Sequence, residues 1–140
     1  MDPNYFVAHF ALGLAYSQKG LHEQAIEALQ KAVNLSGGSL LAARIVLAET
    51  HARSGDQTKA RQILAEIHAL ERKKERYVPA LYLAGLHATL GDRSQAENWG
   101  EKAFQERNDY LVYLRTDPKF DALRTLPGFS GLMRRNGLLR

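Results

Sequence analysis

The sequence predicts an all-α protein, an α-solenoid of three helix-turn-helix repeats closed by a short helical C-terminal cap. Three observations carry this expectation. Gly20, Gly55 and Gly91 recur at spacings of 35 and 36 residues, and an alanine (Ala25, Ala60, Ala96) stands five residues after each. A leucine and a small residue precede each glycine as Leu12-Gly13, Leu47-Ala48 and Leu83-Ala84, with a ring three positions further on at Tyr16, His51 and His87. Alanine and leucine dominate and there are only 4 prolines, a composition that favours helices.

Taken in order, the elements follow from this phase. From Tyr5 to Lys19, the apolar or small residues Phe6, Phe10, Gly13 and Tyr16 fall on helical faces. Each recurring glycine is placed to end a first helix, because the left-handed backbone needed there is open to glycine at little cost. A second helix then begins, with Asp56 and Asp92 as N-cap candidates. Ala25, Ala28, Leu29 and Ala32 make its inward stripe in the first repeat, and Ala60, Ile63, Leu64 and Ile67 do so in the second. The small residues Gly13 with Ala25, and Ala48 with Ala60, are expected where paired helices cross closely. The spacing predicts helices near 4–19, 22–35, 40–54, 57–74, 77–90 and 93–107. The alternating charges of Glu71 to Arg76 are expected to carry the fourth of these into solvent.

The run His9-x-x-Leu12-Gly13-x-x-Tyr16, followed by Gly20, Ala25, Leu29 and Ala32, resembles the tetratricopeptide repeat signature. Two more copies are similar, at Leu47, Ala48, Gly55, Ala60 and Leu64 and at Leu83, Ala84, Gly91, Ala96 and Ala103. The resemblance implies a right-handed α-solenoid, with repeats at about 4–38, 39–75 and 76–110 making one domain of 1–114. It departs from the pattern where His9, Arg44 and Ala80 replace a large aromatic, and where Gly100 replaces a bulky residue. The third repeat is therefore expected either to pack loosely or to have the gap at Gly100 filled by another group.

Residues 115–140 are expected to form a capping tail, since an end repeat exposes an unpaired face. Pro118 and Pro127 suit the first turns of short helices; Phe120, Leu123, Phe129 and Leu132 supply apolar faces; Arg134 and Arg135 suit a helix C-terminus. Trp99 is the expected platform. The run from Asp117-Pro118 to Gly137-Leu138 resembles a tail that follows such repeats in multidomain bacterial signalling proteins, coupled to kinases, nucleotide cyclases or winged-helix regulators. Pro3 stands where the family carries a proline between repeats, so the chain is expected to be the C-terminal piece of a longer protein.

Composition narrows the function. The net charge of +4 comes wholly from the tail: 13 basic and 13 acidic residues cancel in 1–114, and six basic residues face Asp117 and Asp121 in 115–140. That is not the basic stripe of a nucleic-acid binder. The best candidate for a span, Leu40 to Ala48, is broken by Arg44, and the start does not have the form of a secretory signal, so neither is expected. The lack of cysteine excludes disulfides and thiolate chemistry and fits a cytoplasmic location.

Catalytic constellations are missing, and no enzyme, cofactor or metal is expected. Gly37-Gly38 lacks a following Lys-Ser or Lys-Thr, and His22-Glu23 lacks a second histidine. His51 and His87 hold equivalent places without a third ligand and are read as packing residues, whereas His9, His22 and His68 are scattered. Glu27 pairs with Lys31 at helical spacing on a solvated face.

The resemblance implies protein binding along the wall of first helices. Carried across, that wall is Val7, Phe10, Leu14 and Ser17, then Ile45, Glu49 and Arg53, then Val78, Leu81 and Gly85. Its apolar character sets it apart from repeat domains that clamp C-terminal carboxylates with lysines and asparagines. The expected partner is a protein or peptide. The alternative is a structural or self-associating element, which packs on its own parent chain or a second copy to regulate an attached domain.

Overall fold

In a computed structural model, the structure describes residues 4–73, 79–106 and 120–135. All eight elements described are helices: α1 Asn4–Gln18, α2 His22–Leu35, α3 Leu41–Arg53, α4 Gln57–Arg72, α5 Ala80–Leu90, α6 Arg93–Gln105, α7 Asp121–Arg124 and α8 Pro127–Arg135. Pro3, Val78, Asp117, Pro118, Gly137 and Leu138, and the expected continuation of α4 through Lys74 to Arg76, lie outside the described residues. The chain divides into two compact units, Met1–Val78 and Pro79–Arg140.

Within each helical pair the recurring glycine does the work expected of it. Gly20, Gly55 and Gly91 have φ of 75°, 102° and 83°. Around each, two backbone bonds close the helix end. The glycine N–H bonds to the carbonyl three residues back (Ser17, Ala52, Ala88), and the next N–H bonds to the carbonyl of Tyr16, His51 or His87. This is the Schellman arrangement, which satisfies carbonyls that a helix end would otherwise strand. The ring residue of each repeat therefore supplies the carbonyl that closes its own helix. Gly37 and Gly38 close α2 the same way, onto Asn34 and Val33.

Helix starts are less uniform. Asp56 caps α4 as expected, accepting from the Lys59 N–H at 3.0 Å. Asp92 precedes α6 but makes no capping bond from its side chain. Its carboxylate lies instead 3.3 Å from Nδ1 of His87, the ring one helix earlier, which draws it away from the helix end.

In the first unit, α1 packs on α2, and α3 packs between α2 and α4. Ala25, Ala28, Leu29 and Ala32 of α2 and Ala60, Ile63, Leu64 and Ile67 of α4 are buried, as their spacing requires. The close approach at Gly13 is to Leu29: a methyl group added at Gly13 would lie 2.6 Å from Leu29 Cγ. No side chain larger than hydrogen fits there without displacing Leu29.

In the second unit, α5 and α6 pair, α7 packs on α5, and α8 packs on α6. One core joins Leu81, Ala84, Ala96 and Phe104 of the pair to Phe120, Leu123, Phe129, Leu132 and Met133. The gap at Gly100 is filled by Phe129. A methyl group built on Gly100 would overlap that ring and lie 2.8 Å from its Cδ2. Phe129 also meets Phe104 with ring centroids 5.9 Å apart, and Phe120 stands edge-on to Tyr82 at 6.0 Å. Trp99 packs at the border of this core, with Lys102 Nζ 4.8 Å from its ring centroid. Pro127 opens α8, Gly128 brings it close to Glu97, and Arg134 and Arg135 lie in its last turn.

Candidate functional site

The residues expected to line a binding wall separate by burial. Val7 is 52% exposed; Phe10, Leu14 and Ser17 are half-buried; Arg53 is exposed. The four α1 residues recur at three-, four- and three-residue steps, so they form one ridge along the helix. Among the described residues, this ridge is the part of the expected wall that offers apolar surface to a partner.

Ile45, Glu49, Leu81 and Gly85 are buried and offer none. For Ile45 and Glu49 the reason is that α3 is covered on nearly every side, with Leu41 to Thr50 buried except Arg44. Leu81 belongs to the core of the second unit, and Gly85 is buried one turn further along α5. Val78 lies outside the described residues. Glu49 is a carboxylate only 2% exposed, with Arg53 Nη2 3.6 Å away. A buried charge with an ionic neighbour is a packing and orientation element.

Two hollows are lined by the helices of the first unit. One, of about 170 Å³, is bordered by His9, Leu12, Tyr16, Gln24, Glu27 and Lys31. The other, of about 260 Å³, is its equivalent one repeat on, bordered by Arg44, Leu47, Lys59, Gln62, Ile63 and Glu66, with Gln30, Val33 and Gly38 as an extra wall. Both fall below the roughly 300–1,000 Å³ of typical small-molecule sites. Arg44 is engaged by Glu66 at 2.7 Å across the second.

His51 and His87 serve the helical frame. His87 is buried against Asp92, and His51 is half-buried at the end of α3. Burial pushes the His51 pKa below its ordinary 6.5, opposed by nearby Asp56 and reinforced by Lys59. The folded chain thus favours the neutral ring, while below pH 6.5 the unfolded chain takes up the proton first. The stability that neutral His51 contributes is present above pH 6.5 and is lost as the pH falls below it. Urea midpoints measured between about pH 7 and pH 5 should fall less steeply for His51→Gln than for the parent chain. Equal slopes would show that this ring has no part in the acid response. Among the described residues, no group of three His, Asp or Glu is placed to hold a metal, and no helix is long and apolar enough to cross a membrane.

Residues 7–38, which span most of α1 and all of α2, match the family model of the tetratricopeptide repeat. No curated protein and no solved structure gives a significant match.

Proposed function

We propose, from the premise that this is a tetratricopeptide-repeat protein, that it is a non-enzymatic interaction module whose α1 ridge holds an apolar segment of a partner protein. Repeats of this family generally mediate protein–protein interaction. The observation that carries the reading is the ridge itself: Val7, Phe10 and Leu14 keep apolar surface open to solvent on a helix whose inner side is already packed on α2. Arg53 at the rim offers a cation to a carboxylate or backbone carbonyl of the ligand. An extended or helical peptide with two apolar side chains one helical turn apart suits this surface. The tail's likeness to those of multidomain bacterial signalling proteins supports a place in a cytoplasmic regulatory protein.

Selection of a displayed random-peptide library on the chain, followed by titration calorimetry of the selected peptides, tests the site. A Phe10→Glu, Leu14→Glu double variant should bind them roughly tenfold more weakly or worse while keeping its helicity. Equal affinity for parent and variant moves the site off α1.

A further inference from the structure

The two hollows of the first unit correspond residue for residue, and the correspondence shows what is peculiar to the larger one. Its buried Leu47 and Ile63 hold the places of Leu12 and Ala28, so the apolar part is kept and enlarged. The polar places change character. Arg44 stands for His9, Lys59 for Gln24, and Glu66 for Lys31. In the smaller hollow Glu27 and Lys31 lie 3.4 Å apart and cancel. In the larger, the two cations Arg44 and Lys59 face the one carboxylate of Glu66, which leaves one positive charge in excess.

That excess is held ready. Arg44 gives Nη2 to Glu66 at 2.7 Å, and its side chain is only 18% exposed. Its remaining N–H donors, and the Lys59 ammonium, make no hydrogen bond or ion pair among the described residues. Val33 of α2 adds apolar surface on a wall that the smaller hollow lacks.

We propose that this hollow binds a carboxylate on a short aliphatic stem. The carboxylate accepts from Lys59 and the remaining Arg44 donors and cancels the excess charge, while the stem lies along Val33, Leu47 and Ile63. A ligand with two negative charges would set the second against Glu66, and a cation would meet Arg44 and Lys59. The volume of about 260 Å³ suits a group the size of one amino-acid side chain. The site belongs to α2, α3 and α4 and shares no residue with the α1 ridge, so it stands independently of the peptide site.

Nuclear magnetic resonance titration of the nitrogen-labelled chain with pentanoate at low salt tests this. Amide shifts should saturate and centre on Gly38, Leu47 and Ile63, with Gln24 and Ala28 of the smaller hollow unmoved. Acetate, which lacks the stem, should bind roughly fivefold more weakly. Pentylamine should not bind. Lys59→Glu should weaken pentanoate roughly tenfold or more and admit pentylamine instead, because one cation then faces two carboxylates. Lys59 is the third residue of α4, where an acidic side chain suits a helix start, so this variant should keep its helicity. The Phe10→Glu, Leu14→Glu variant should bind pentanoate as the parent does. A capped Ala-Glu-Ala tripeptide separates the two sources of this chemistry. Tighter binding than pentanoate assigns the hollow to a glutamate side chain of a partner, and weaker binding assigns it to a free acid. No saturable shift up to about 50 mM pentanoate overturns the proposal. Shifts shared equally by both hollows, equal binding of pentylamine or acetate, or unchanged affinity in Lys59→Glu overturn it as well.

Discussion

Phe129→Ala lowers the stability of the second unit by about 3–5 kcal/mol, the usual cost of emptying a large aromatic site that cannot collapse. The ring is fully buried, seated on Gly100 and stacked near Phe104, and nothing on α6 at Gly100 can swell into the vacated space. Trp99 is the chain's single tryptophan and borders the same core, so its fluorescence reports this unit during urea unfolding. Gly100→Leu alone should also destabilise, because the new side chain and the ring claim one volume. Combined with Phe129→Ala, it should recover part of the loss. A cost below about 1 kcal/mol for Phe129→Ala, or strictly additive effects in the pair, would mean that the ring does not fill the Gly100 site.

Ala60→Trp should unfold the second helical pair. Ala60 is completely covered on α4, where an indole has no room without parting α4 from the helix it packs on. Overpacking a tight core costs about 1–3 kcal/mol for a few extra methylenes, and an indole lies at or beyond the top of that range. Ala65→Trp makes the same change on the exposed side of α4 and should leave the urea midpoint nearly unchanged. If the two variants melt alike by circular dichroism, the inward face of α4 is misassigned.

Much of the helical frame was legible because its signals are local. A positive-φ glycine, an N-terminal aspartate and a four-residue apolar stripe act within one or two turns, so the expected and observed ends of α1 to α4 differ by no more than two residues. Asp92 departs from expectation because His87 lies near enough to compete for its carboxylate, a contact that appears only once the helix end is closed. The expected binding wall was harder to read. α5 is apolar nearly all the way round, and the polar residues of α3 (Arg44, Glu49, Thr50, His51 and Arg53) gather on no single face. Periodicity therefore does not say which side is covered, and Ile45, Glu49, Leu81 and Gly85 proved to be interior. Gly100 announced a gap from its place in the repeat. That Phe129 fills it depends on α8 packing against α6, which no local signal encodes.

The sharing of one core between α5, α6 and the last two helices has a consequence for biosynthesis. Most contacts of α1 to α4 join neighbours along the chain, so those helices can consolidate soon after they leave the ribosome. The second unit differs. Leu81 waits on Phe120 and Leu123, and Gly100 waits on Phe129, so its nascent helices stay incomplete until those late residues are translated. During that interval an apolar surface stands open to chaperones, and a premature stop before Phe129 would leave it open permanently. Such a truncated product is a substrate for degradation, although every residue of its repeats is present.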